Sequence, residues 1–226
     1  MSQQDGGKRV KVRTVNIVAR SSLIPPFSLT PLISSYPYDR EKFLSHIAVP
    51  HHRALFCIYD TGKVVSLSSK SISDLEASFA WLRALLSGYG LNLAKTCEIT
   101  NIVAVARIAP PLNLRILAPF LNRASYDPSR DFGATSYERL FDAIVYHFLP
   151  PSIRPRQTAL IFRTGRVTFT GFRSPVILRA AAQLLASQIA RIIEDHPEVL
   201  TVKSVRTDQT HNIEVVPVAI SGEVKA

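Results

Sequence analysis

Asn16 and Asn101 each open the tetrapeptide Asn-Ile-Val-Ala, a separation of 101 − 16 = 85 residues in a chain of 226. A carboxamide carries two N–H donors and one carbonyl acceptor without charge, so two of them in Val/Ile-rich surroundings are equipped to recognise acceptors, not to break bonds. The residues that could break bonds lack the required spacing. Gly62-Lys63 has neither the upstream glycine nor the following hydroxyl of a phosphate-binding loop, and no nucleophile elbow occurs. His46, His51, His52 and Cys57 do not follow a standard zinc spacing. The expectation is a protein that is not an enzyme and uses no metal or cofactor. Cys57 and Cys97 read as free thiols of a reducing compartment.

Charge indicates the class of partner. The formal charge is +10 and the isoelectric point about 9.9, a balance that favours nucleic acid or an acidic surface. The charge is also uneven: no acidic residue stands between Asp142 and Glu194, while Arg154, Arg156, Arg163, Arg166, Arg173, Arg179 and Arg191 all do. A solvated basic surface is the plainer reading of such a run. No apolar run approaches the ~18 residues of a membrane span. The first residues, MSQQDGGKRVKVR, are polar and basic, and the chain reads as soluble and intracellular, with no membrane partner.

The two copies of Asn-Ile-Val-Ala begin a longer repeat. In the first half RALFCIYDTGKVVSLSS (53–69) precedes the helical SISDLEASFAWLRALLSGYG; in the second, TALIFRTGRVTFTG (158–171) precedes SPVILRAAAQLLASQIARIIEDH. Each β-rich stretch turns at a glycine, Gly62 or Gly165, followed by a basic residue. The later stretches show helical periodicity, through Leu75, Phe79, Leu82 and Leu86 in one and Ile177, Leu184, Leu185, Ile189 and Ile192 in the other. Ser71 or Ser73, and Ser174 followed by Pro175, are the expected helix starts. Short helices are expected near 29–35 and 112–122. The unit is strand, short helix, antiparallel strands, long helix, and two units make an α+β protein with its helices on one side of the sheet.

Period-two alternation then divides the strands into faces. Phe56, Ile58 and Val64 turn to the helices and Cys57, Tyr59, Val65 and Leu67 away; Ala159, Ile161, Val167 and Phe169 turn in and Leu160, Phe162, Thr168 and Thr170 away. The outward face carries no charge, and helices cover only the other one. Such a face on a basic protein fits a DNA minor groove, with apolar side chains on sugars and base edges and Lys or Arg at the phosphates. A second layer or a dimer interface would also bury it.

These residues and their order resemble the TATA-box binding protein family, over roughly 12–194 and most closely at ERLFDAIVYHF (138–148) and TALIFRTGRVTFTG. The resemblance implies two pseudo-symmetric repeats forming a saddle-shaped antiparallel sheet with helices on its convex face. It places Asn16, Val18, Asn101 and Val103 at the centre of a DNA-binding surface, with Val65, Leu160, Thr168 and Thr170 beside them. Phe141 and Phe162 match the wedge of the second repeat, and Phe43 and Tyr59 that of the first. Glu138, Arg139 and Leu140 fall where the family meets transcription factor IIB. The implied partners are double-stranded A·T-rich promoter DNA, transcription factor IIB-like and IIA-like initiation factors and the RNA polymerase pre-initiation complex, with homodimerisation in the free state as a further implication. The implied compartment is the nucleus, or the cytoplasm for an archaeal protein.

The domains implied are a basic arm (1–11), a first repeat (12–96), a second repeat with an extended stirrup loop (97–196) and a C-terminal strand and tail (197–226), where HNIEVVPVAI stands. Departures from the family are specific. About ten extra residues are expected between Tyr126 and Phe141 and about four around PPSIRPRQ. Cys57 and Leu67 stand where the family usually has Leu and Thr, and the first repeat lacks the glycine that usually follows the hairpin. They leave a second reading, a saddle-fold protein-interaction factor that has lost much of its DNA binding.

Overall fold

In the computed structural model the described residues are 9–36, 46–121, 124–125, 143–148 and 156–201. Their strands are β1 (Arg13–Ser22), β2 (His46–His51), β3 (Ala54–Tyr59), β4 (Lys63–Ser69), β5 (Glu98–Arg107), β6 (Ala124–Ser125), β7 (Ala143–His147), β8 (Thr158–Phe162) and β9 (Arg166–Phe172). Among the described residues they form one open antiparallel sheet in the order β2-β3-β4-β1-β5-β9-β8-β7-β6. The helices are α1 (Thr30–Ile33), α2 (Ile72–Gly88), α3 (Leu114–Leu117) and α4 (Pro175–Asp195). The short helices lie within the expected windows, and α3 runs on into a 3-10 turn at Ala118–Phe120.

The seam between the halves is the β1·β5 pair, where Ile17 faces Ile102, Asn16 faces Val103 and Val18 faces Asn101. The pairing is symmetric about the two isoleucines. The ladder slips by one residue on each side, between Thr14 and Asn16 and between Val18 and Ala19, which leaves Val15 on one strand and Thr100 on the other as equivalent bulges. Such bulges bend a strand and increase its twist.

Ile17, Phe56, Ile58 and Val64 of the first half and Ile102, Ala159, Ile161, Val167 and Phe169 of the second join one core with Phe79 and Leu82 of α2 and Leu178 and Leu185 of α4. The halves fill that core differently. Phe56 lies opposite Ser66 on β3·β4, whereas Ala159 lies opposite Phe169 on β8·β9. The bulky ring has changed strands, so the paired volume is conserved while each single position is not. Ser66 stands at the ladder position of Phe169 and Ser69 at that of Phe172, and both hydroxyls are fully buried and, among the described residues, without a hydrogen-bond partner.

The long helices start as their caps require. Ser71 Oγ accepts from the Asp74 N–H at 3.0 Å and donates to the Asp74 carboxylate at 2.7 Å, while Ser174 Oγ accepts from the Ile177 N–H at 3.4 Å. The expected inward stripe of α4 needs correction. Ile177 is 52% and Leu184 64% exposed; Leu178, Ala182, Leu185, Ala186 and Ile189 are the buried residues. Apolar residues on both flanks make 177/184 and 178/185 equally periodic, and only the sheet chooses between them. A second correction concerns length. Among the described residues α4, at 21 residues, has the length and apolar content of a membrane span. Its buried stripe against the sheet is that of a core helix, which passes the same test.

The ladder also sizes the insertions of the second repeat. His46 pairs with Tyr59 and Ala143 with Phe162. From Asn16 to His46 is 30 residues and from Asn101 to Ala143 is 42; from His46 to Tyr59 is 13 and from Ala143 to Phe162 is 19. The insertions are therefore 12 and 6 residues, larger than expected. The inserted loops lie outside the described residues.

Candidate nucleic-acid interface

The sheet face opposite the helices has Asn16, Val18, Asn101 and Val103 at its centre, all half-buried, on strands whose intervening Ile17 and Ile102 point into the core. What fixes the two carboxamides is a second pair of bulges. Between Ile17 and Ala19 the β4 partners jump from Ser69 to Ser66, and between Ile102 and Ala104 the β9 partners jump from Phe172 to Phe169. Ser68 and Gly171 lie in those jumps with positive φ, 73° and 82°. A bulged residue loses its ladder partner, and its N–H must be satisfied elsewhere. The Ser68 N–H donates to Asn16 Oδ1 at 2.9 Å, and the Gly171 N–H donates to Asn101 Oδ1 at 2.7 Å. The Thr170 hydroxyl reaches the same Asn101 oxygen at 3.5 Å.

An N–H can only donate, so each amide must present its oxygen to the bulge, and the Nδ2 group is turned away from it. Among the described residues neither Nδ2 has a hydrogen-bond partner. Two NH₂ groups related by the symmetry of the seam are thus left to donate from the middle of an uncharged face. At Gly171 a Cβ would overlap the Arg156 carbonyl oxygen. In the first half the same backbone conformation is held by a serine, which explains how the geometry survives the missing glycine and implies local strain.

Around this centre the face divides by repeat. Leu55, Val65 and Leu67 of the first half occupy the ladder positions of Thr158, Thr168 and Thr170 in the second, and Cys57 that of Leu160. All are half-buried except Cys57, which is buried, and burial pushes its thiol pKa up, so it is present as S–H. Tyr59 packs its ring 5.3 Å from that of His46, with Lys63 Nζ 5.7 Å from its centre. Phe162 is half-buried at the matching end of β8. Of the residues singled out from the sequence, Asn16, Val18, Tyr59, Val65, Asn101, Val103, Leu160, Phe162, Thr168 and Thr170 share this face. Phe43, Phe141, Arg154 and the Glu138, Arg139, Leu140 group lie outside the described residues.

The rim is cationic. Arg156, Arg163 and Arg166 are exposed, the last two flanking the Gly165 turn, and Arg107 pairs with Arg166 across the ladder. Glu98 holds two further arginines: its carboxylate lies 2.6 Å from Arg20 and 3.3 Å from Arg173. That cluster has no signature in the sequence, since its members are 78 and 75 residues apart. Leu55 and Thr158, by contrast, follow from strand alternation carried one step further. On β2, His51 packs its ring, tilted, 4.4 Å from Trp81 and shares a 3.2 Å hydrogen bond with the Ser78 hydroxyl.

Comparison with known proteins points the same way. The family profile described as "Transcription factor TFIID (or TATA-binding protein, TBP)" matches residues 96–192. TATA-box-binding protein 1 of Methanosarcina acetivorans is 26% identical over 186 residues, spanning 79% of this chain and 94% of its own. The TATA-box-binding protein of Pyrococcus furiosus is 25% identical over 202 residues, 85% of this chain and 97% of its own. The solved structure of Methanococcus jannaschii TBP superposes with a TM-score of 0.64 at 21% identity, covering 80% of this chain and 99% of that one, a likeness of fold. The resemblance drawn from the asparagine strands and the hairpins stands, and the sheet has that family's saddle architecture.

Proposed function

We propose, from the premise that this chain resembles the TATA-box-binding protein family, that it is a general transcription initiation factor whose open sheet face enters the minor groove of A·T-rich promoter DNA. The observation that carries the reading is the outward pair of Nδ2 groups on Asn16 and Asn101. A·T pairs offer only the acceptors A N3 and T O2 in the minor groove, so two neutral donors at the centre of the face match them, whereas carboxylates there would be repelled. Val18, Val103, Val65 and Leu160 press on sugars and base edges. Phe162 with Phe141, and Phe43 with Tyr59, unstack base steps and bend the duplex toward the major groove. Arg163 and Arg166 meet phosphates at one end.

The long loop of the second repeat, with Glu138, Arg139 and Leu140, recruits a transcription factor IIB-like partner, and a IIA-like factor and the polymerase assembly follow. The relatives named above are archaeal, which favours the cytoplasm over the nucleus. A reading as a protein-interaction factor draws on the first half, where Tyr59 is packed against His46 and Lys63 and Leu67 replaces a hydroxyl. Binding to matched A·T-rich and G·C-rich duplexes, with fluorescence energy transfer reporting the bend, at two salt concentrations, separates the two. Preference for A·T with bending supports initiation-factor function; no binding to either duplex supports the protein-interaction reading.

A further inference from the structure

The two halves of the open face differ at three equivalent ladder positions in one respect: Leu55, Val65 and Leu67 carry no hydrogen-bonding group, and Thr158, Thr168 and Thr170 each carry a hydroxyl. Each hydroxyl keeps acceptor capacity in the fold. Thr170 Oγ1 makes a marginal 3.5 Å bond to Asn101, Thr158 Oγ1 shares a 3.2 Å bond with His147 Nδ1, and Thr168 has no side-chain partner among the described residues. A hydroxyl can donate to the A N3 and T O2 acceptors and can equally accept from another donor. An alkyl group can do neither.

In the minor groove a G·C pair differs from an A·T pair by the guanine N2 amino group, a donor that projects from the groove floor. Pressed against Leu67 and Val65, that amino group would lose its water and gain no partner, the costly way to bury a polar group. Against Thr168 and Thr170 it would find an acceptor. An A·T pair buries only its N3 and O2 acceptors there, which a G·C pair presents as well, so the amino group is the difference the alkyl half feels.

We infer that the protein reads its site with unequal stringency and therefore in one direction: the first repeat requires A·T pairs, the second tolerates G·C, and a box with G·C at one end is bound with the second repeat over that end. The inference rests on the minor-groove reading above and adds the sequence class of each half-site. Leu67 is the principal specificity-determining residue, since it lies nearest the asparagine seam of the three alkyl positions and directly precedes the Ser68 bulge that holds Asn16.

The test uses the full chain carrying Cys97→Ser and Thr164→Cys, labelled at the exposed β8–β9 turn, with three duplexes: an A·T box and the same box with one G·C pair in either half, each with an acceptor dye at one end. Energy transfer should place the labelled turn at the G·C end of both substituted boxes, with at least about a tenfold preference for that direction. Leu67→Thr should reduce the preference to about threefold or less. Thr170→Leu should weaken binding to the substituted boxes by a larger factor than binding to the A·T box, since its hydroxyl also touches Asn101. Equal transfer from both ends, or an undiminished preference in Leu67→Thr, would overturn the inference while A·T binding left the proposed function standing. Failure to bind the A·T box at all would remove both.

Discussion

The first and second halves of the sheet have the same backbone and different surfaces. Both place a carboxamide two residues before a valine at the seam, both bulge at the same two places, and both turn a bulge N–H onto the asparagine oxygen. Yet the first half holds its bulge with Ser68, packs Phe56 against Ser66 and shows alkyl groups outward, whereas the second uses Gly171, Ala159 with Phe169, and threonines. The shared features are those that fix the outward donors. Duplication has preserved the backbone geometry around the two carboxamides more strictly than the residues that produce it.

The bulges are where the two halves should respond most differently to substitution. Gly171→Ala forces a Cβ into the Arg156 carbonyl in a backbone region that disfavours side chains. A stability loss of about 3 kcal/mol or more is expected in denaturant unfolding, accompanied by loss of DNA binding. Ser68, at the equivalent position, should respond the other way.

Next come the wedges. Phe162→Ala should cost about 2–3 kcal/mol of binding and most of the bend at its end, against about 1 kcal/mol for Tyr59→Ala, whose ring already packs against His46 and carries a hydroxyl that must be desolvated. Tyr59→Phe should leave affinity equal or improved. A loss above about 1.5 kcal/mol in Tyr59→Phe would mean a needed hydrogen bond and would make the two wedges equivalent.

The rim gives an intermediate effect. Reversing Arg163 and Arg166 to Glu should flatten the dependence of log affinity on log salt by about 2, since each neutralised phosphate contributes about 0.9. An unchanged slope would place these arginines away from the DNA. Ser68→Gly should raise stability by about 0.5–1 kcal/mol, the relief of a left-handed serine less the added backbone entropy of glycine. A loss instead would show that the Ser68 side chain contributes more than its strain costs.

Much of this was legible in the sequence because it rests on short-range periodicity. The repeat, the hairpins at Gly62 and Gly165, the Ser71 and Ser174 caps and the division of strand faces all follow from spacing within a few residues. Asn16 and Asn101 were legible as candidates, but their orientation was not, since it depends on N–H groups 52 and 70 residues away. Ser68 gives no signal of a positive φ, because the residue that announces one is glycine. Ile177 and Leu184 were misplaced where apolar residues line more than one side of a helix and only the tertiary partner decides. The exchange of Phe56 and Phe169 between strands was hidden because packing conserves paired volume, not identity at one position.

The bulges hold both carboxamide oxygens, which on the minor-groove reading leaves two donors for the acceptors there. The most direct measurement is the affinity of Asn16→Asp/Asn101→Asp for an A·T-rich duplex, alongside its unfolding midpoint. A carboxylate oxygen still accepts from the Ser68 and Gly171 N–H groups, so the variant should unfold close to the unsubstituted protein. It has no donor left and brings two negative charges against the groove acceptors, so binding should fall by about a hundredfold or more. A variant that folds normally and binds within about threefold of the unsubstituted protein would mean that Asn16 and Asn101 are not the groove donors.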